Sequence, residues 1–163
     1  MEADMADRVS ASIAIGGNIS ASGYAELAGM IAAEGLSVEW DGETFKPEDR
    51  TVGEPLTLYA HQVPWGRFEE LESWCIENRL SFARWSGGFG SEWTAERVVF
   101  TGDGAPRSYI ADENDRILVD RGTVEQLGSI EAILDHFDAA DVVLPPLAVE
   151  GETTREPSEV VID

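Results

Sequence analysis

From Val9 the chain alternates. Val9, Ala11, Ile13 and Ile15 fall on one side, and Ser10, Ser12 and Ala14 on the other. A repeat of two predicts a strand with one buried face. Gly16-Gly17 is expected to end it, Ser20 or Ser22 offers an N-cap, and Tyr24, Leu27 and Ile31 recur at helical spacing. Gly35 suits the left-handed position just past that helix. Residues 36–40 then read as a second strand, closed by Asp41-Gly42.

The same order returns further on: a strand over 56–61, a helix, and a strand over 80–85. Pro64 is placed in the first turn of this second helix, where its missing N–H is no loss. Phe68, Leu71, Cys75 and Ile76 supply the buried stripe. Sliding one segment over the other superposes Glu26 on Glu70, Leu27 on Leu71, Leu36 on Leu80 and Ser37 on Ser81. Two successive strand–helix–strand units predict an α+β fold of the ferredoxin-like β-α-β-β-α-β kind over residues 8–86. Such a unit has an antiparallel sheet with both helices on one face.

Beyond this point the rhythm changes. Gly87, Gly88 and Gly90 surround Phe89, and a strand over 93–101 follows, with a hairpin turn at Asp103-Gly104. Residues 107–111 return, and a polar turn leads to 117–119, giving a three-stranded β-meander that extends or flanks the first sheet. Thr123 and Gln126 match a capping box, and Leu127, Ile130, Leu134 and Phe137 follow at spacings that predict one C-terminal helix. A short strand is expected at 142–144, before Pro145-Pro146 stops regular structure. The organisation is thus a flexible arm (1–7), one α+β domain (8–150) and an acidic, disordered tail (151–163).

Charge changes the picture more than composition does. Thirty-two Asp and Glu face 11 Lys and Arg, a formal net charge of −21, where a magnitude of about 2–8 suffices to keep a small domain soluble. Such a field repels phosphate backbones and anionic lipid, which argues against direct nucleic-acid or membrane binding. It speeds encounter with a basic partner, including a protein whose groove is built to hold DNA or RNA. Solvation alone is the competing reading of the same charge. One cysteine, Cys75, allows no internal disulfide, and no stretch resembles a secretory signal, so a cytoplasmic address is expected.

Candidate chemistry is thin. The single lysine, Lys46, precedes Pro47, so no Gly-Lys-Ser/Thr phosphate loop exists. The glycines around Phe89 lack the third glycine and following helix of a dinucleotide loop. Cys75, His61 and His136 are scattered over three predicted elements, unlike zinc ligands. Residues 112–115 lack the spacing of a calcium loop, and no Gly-x-Ser-x-Gly elbow is present. The sequence therefore names no catalytic residue, metal or cofactor.

What remains is a set of interface residues. Trp65, Trp85, Phe89 and Trp93 lie beside a helix start, a strand end and the glycine loop, and large aromatics serve as interface anchors. Glu69, Glu70, Glu72 and Glu77 fall on the expected outer face of the second helix, as Glu125, Glu131, Asp135 and Asp138 do on the last. Carboxylates so presented can stand in for phosphates before an arginine-rich groove.

These features favour an acidic inhibitor that occupies the nucleic-acid-binding surface of a basic partner. Small phage- or plasmid-borne anti-CRISPR and anti-restriction proteins of the DNA-mimic type are similar in charge and size. An immunity protein against a basic nuclease toxin fits the same features. The third reading is a small enzyme or small-molecule binder, for which His61, Glu70 and Arg84 are the nominal pocket residues.

Overall fold

The computed structural model describes residues 8–90 and 92–152. The alternation seen in the sequence becomes β1 (Arg8–Ile19). Its continuation is β2 (Leu56–Pro64), β3 (Ser81–Ser86), β4 (Glu96–Phe100), β5 (Arg107–Ile110) and β6 (Leu147–Val149). The helices are α1 (Ala21–Ala33), α2 (Glu69–Glu77), α3 (Arg121–Leu127) and α4 (Ile130–Ala140). The sheet runs β2-β1-β3-β4-β5 with antiparallel neighbours throughout, and β6 adds a short parallel pairing to the end of β1. With Ser37 bridged to the outer side of β2, the first part of this order is that of the ferredoxin-like unit, and the meander extends it beyond β3.

Helices α1 and α2 lie on one face. Ala11, Ile13, Ile15, Leu58 and Phe82 from the strands meet Leu27, Ile31, Leu71 and Cys75 from the helices in one dry core. Ser20 caps α1 by accepting from the Gly23 N–H (2.9 Å), and Gly35 takes φ 78° just past its end, as the sequence predicts. Desolvation in this core pushes the Cys75 thiol up to about 12, so it stays a neutral, inert packing group.

The structure corrects several expectations. Gly16-Gly17 does not end β1; the strand bends there, with φ 122° at Gly17, and hands Gly17–Ile19 to β6. Residues 36–40 form no strand, because the chain turns back at once through the Glu39–Gly42 turn and the left-handed Asp41, leaving the Ser37–Tyr59 bridge. Pro64 is not in a helix: it ends β2 opposite Arg8, a position where a strand needs no N–H. A left-handed Trp65-Gly66 turn separates it from α2.

The C-terminal helix divides. Gly128 adopts φ 86°, Asp120 caps α3, and Ser129 starts α4 by accepting from the Ala132 N–H (3.0 Å). The break resets the helical phase, so Ala140, not the Ile130/Leu134 stripe, is the buried residue of α4. Ile130 and Leu134 remain 73% and 56% exposed. The third meander strand is reduced to the Ala111–Ile117 bridge. Residues 142–144 are not a strand, whereas residues beyond Pro145-Pro146 form β6. The expected arm (1–7) and residues 153–163 of the tail lie outside the described residues. Glu152 belongs to the fold, paired with Arg50 and accepting from the Val149 N–H.

Candidate functional site

Trp65 meets two aromatics of a later hairpin, Phe89 and Trp93, at one corner of the sheet. Trp65 stands on the turn after β2, where it and Gly66 both take positive φ. A β-carbon at Gly66 would strike the Ser86 side chain and crowd Val9, so glycine is required there. Phe89 and Trp93 face each other across a small hairpin closed by the Phe89 N–H to Trp93 carbonyl bond (3.0 Å). Their rings stack at 5.2 Å, and Trp65 lies 5.9 Å from Trp93. The Trp93 indole N–H donates to the Gly87 carbonyl (3.3 Å), and Glu113 accepts from the Gly88 N–H (2.9 Å), which fixes the glycine loop. Trp65 is 51% exposed, and Arg67, Glu69 and Glu96 line a shallow pocket with it and Trp93.

The predicted acids do not all behave alike. Glu69, Glu70 and Glu77 are exposed on α2, as are Asp135 and Asp138 on α4. Glu72 is the correction: its side chain is 14% exposed and turns inward. One of its oxygens accepts from both the Phe68 N–H (2.9 Å) and Arg84 Nε (2.8 Å). Arg84, buried at the centre of β3, also donates to Ser86 Oγ (3.0 Å). Desolvation raises the pKa of Glu72 against the opposing pull of Arg84. This pair joins α2 to the sheet, and neither Arg84 nor Glu72 is presented to a partner. Glu70 is exposed and does not join them.

Trp85 lies apart from the aromatic corner, on the opposite sheet face. Here α4 covers only the β4–β5 side, through Ala140 against Val99 and Tyr109 and His136 against the Tyr109 ring (5.1 Å). The rest is an open cleft of about 600 Å³. Ser12, Ala14, Thr57 and Ala83 form its floor, and Trp40, Tyr59 and Trp85 rise beside it. His61 has companions the sequence does not reveal: Nδ1 is 2.8 Å from Ser10 Oγ, and Nε2 is 3.2 Å from Asp41 Oδ1. Asp41 is 81% exposed, so its carboxylate is water-solvated and gives the ring none of the buried support that a hydrolase triad uses. The chain of contacts instead holds Trp40, which stacks on His61 at 4.9 Å and tilts against Tyr59 at 4.8 Å.

Among the described residues, no group of three or more His, Cys, Asp or Glu is placed to hold a metal ion, and no helix is long and apolar enough to cross a membrane. Comparison with protein-family models, curated proteins and solved structures finds no match to this chain.

Proposed function

We propose that this is an acidic protein-binding module that engages a basic surface of a partner protein, with Trp65, Phe89 and Trp93 as its anchor. The observation that carries this reading is the gathering of exposed Trp65 with half-buried Phe89 and Trp93 into one corner, with Glu69 and Glu96 beside them, on a chain of net charge −21. Aromatic anchors supply buried area, and the surrounding charge steers encounter and selects the partner's sign.

Internal pairing supports it further. Arg50, Arg79, Arg84, Arg97, Arg116 and Arg121 are each within ion-pair reach of a carboxylate of this same chain. These cations are thus spent within the chain, and its excess of acids over bases is left to face a partner. A protein whose basic groove otherwise holds a nucleic-acid backbone is the natural target, and the reading calls for binding without catalysis, in the cytoplasm. An inhibitor of a nucleic-acid-processing complex and an immunity protein against a basic nuclease are two forms of it, told apart by the partner itself.

The test is affinity capture from host extract at low and high salt, with the protein and a Trp65→Ala/Trp93→Ala variant as baits. A nuclease or nucleic-acid-binding protein is expected to be retained, released by salt, and bound at least tenfold more weakly by the variant, about 1.4 kcal/mol. Retention of nothing by the folded bait, or retention indifferent to both salt and the variant, refutes the reading.

A further inference from the structure

The open cleft has a geometry fixed by strand register. Tyr59, Ser12 and Trp85 are direct neighbours across β2, β1 and β3. With strands about 4.8 Å apart, the two aromatic residues rise roughly 10 Å from each other over a serine. Face contacts at about 3.5–4 Å on each side of a planar group need about 7–8 Å between rings, a separation compatible with this backbone spacing. The next row, Thr57, Ala14 and Ala83, is small throughout and deepens the floor. Both walls are held in advance: the Trp85 indole N–H donates to the Asp112 carbonyl (3.0 Å), and Trp40 rests on Tyr59 and His61.

The lining also selects charge. Glu113, Asp115 and Asp141 line the cleft, against Arg97 as its one basic residue. Arg97 is already committed: Nε donates to Asp115 Oδ1 (3.0 Å), Nη2 to the Asp115 carbonyl (2.7 Å), and Nη1 to the Ala140 carbonyl (2.7 Å) and Asp141 (2.6 Å). An anion finds no free cation there, whereas a cation meets aromatic faces and carboxylates together. At the far end Pro55, Val142 and Leu144 offer apolar surface. A volume of about 600 Å³ lies within the roughly 300–1,000 Å³ of small-molecule sites.

We propose that this cleft binds a small planar cation, a heteroaromatic or amidinium compound, stacked between Tyr59 and Trp85 with its charge toward Glu113 and Asp141. The occupant is a free molecule and not a partner's arginine, because a guanidinium alone would leave the apolar end empty. The site lies on the opposite sheet face from Arg84 and Glu72 and contains none of Trp65, Phe89 and Trp93; Glu113, which also accepts from the Gly88 N–H, is the residue it shares with the loop of that corner, and the Trp signals tell the two sites apart.

The experiment is an NMR titration read at the five indole N–H signals, with 1-methylquinolinium as probe and 2-naphthoate, of similar size and opposite charge, as control. Saturable shifts are expected at Trp40 and Trp85 with Trp74 unmoved, and naphthoate should bind at least tenfold more weakly. Ala14→Leu, which fills the floor, should weaken the quinolinium at least tenfold, with an unchanged melting temperature showing that the fold survives. Equal affinity for both probes, shifts at Trp65 and Trp93 in place of Trp40 and Trp85, or no saturable response to the cation overturns the proposal.

Discussion

Under α1 and α2 the strands present Ala11, Ile13, Ile15, Leu58 and Phe82, all fully buried. On the reverse the same strands present Ser12, Ala14, Tyr59 and Ala83, and none of these is buried. Period-two alternation writes both faces at once, so the choice of side chain at even and odd positions of one strand settles two different fates. Large branched residues on one side close it against helices. Small residues on the other leave space that α4, seated only over β4 and β5, does not fill. The closed face carries the core and the open face leaves the cleft.

The sharpest way to break this comparison is to truncate one large apolar side chain in each region. Phe82→Ala, which opens a cavity among fully buried neighbours, should lower the unfolding free energy by about 4 kcal/mol. Leu134→Ala, on the exposed side of α4, should change it by no more than about 0.5 kcal/mol. Urea denaturation of the two variants measures both, and similar losses would mean that α4 is packed as tightly as the closed face.

A second cut probes the polar part of the closed face. Glu72→Ala takes from buried Arg84 its hydrogen-bonded carboxylate and leaves only the half-exposed Glu96, 3.9 Å away, and about 3 kcal/mol of stability should be lost. Replacing both, as Glu72→Leu with Arg84→Met, should recover most of that loss, since a well-packed apolar pair costs no charge desolvation. If the double variant is as unstable as the single one, the pair does more than satisfy itself.

Much of the closed face was legible in the sequence, and little of the open one. Val9 to Ile15 and the recurring strand–helix–strand order are local patterns, and they led to the observed strand order. Residue type and nearby turns single out Trp65, Phe89 and Trp93, and the fold brings them together. Helical spacing places Glu72 outside because it does not reveal a buried cation on a neighbouring strand: Arg84 draws the carboxylate inward. The single C-terminal helix failed at Gly128, where a left-handed residue resets a periodicity that otherwise continues through Leu127 and Ile130. The cleft, and the Ser10, His61 and Asp41 contacts behind Trp40, depend on register between strands that are distant in the chain. No window along the sequence contains them.

The smallest effect separates buried carboxylates from loop carboxylates by pH. Burial raises the pKa of Glu72 and Glu34 beside the closed face and of Asp115 in the cleft. Backbone N–H donors hold Asp112, Asp120 and Glu152 below their ordinary values. A raised carboxyl takes up its proton more readily folded than unfolded, so its contribution is present at low pH and lost as pH rises through the folded value. A lowered one works in reverse: its contribution is present above the ordinary value and lost as pH falls through the folded one. The raised groups therefore act above the ordinary 4.5 of Glu and 3.8 of Asp, and the lowered groups below them. The melting temperature should rise by a few degrees from pH 7 to about 5 and fall again below about 4. Relief of self-repulsion among the acids acts in the same direction, so the scan belongs in about 1 M salt, where the screening length is about 3 Å. Under those conditions Glu72→Gln should flatten part of the rise. A melting temperature that falls steadily from pH 7 to 5 would mean that these buried carboxyls are ionised without penalty, and would remove the distinction between the enclosed and the solvated acids.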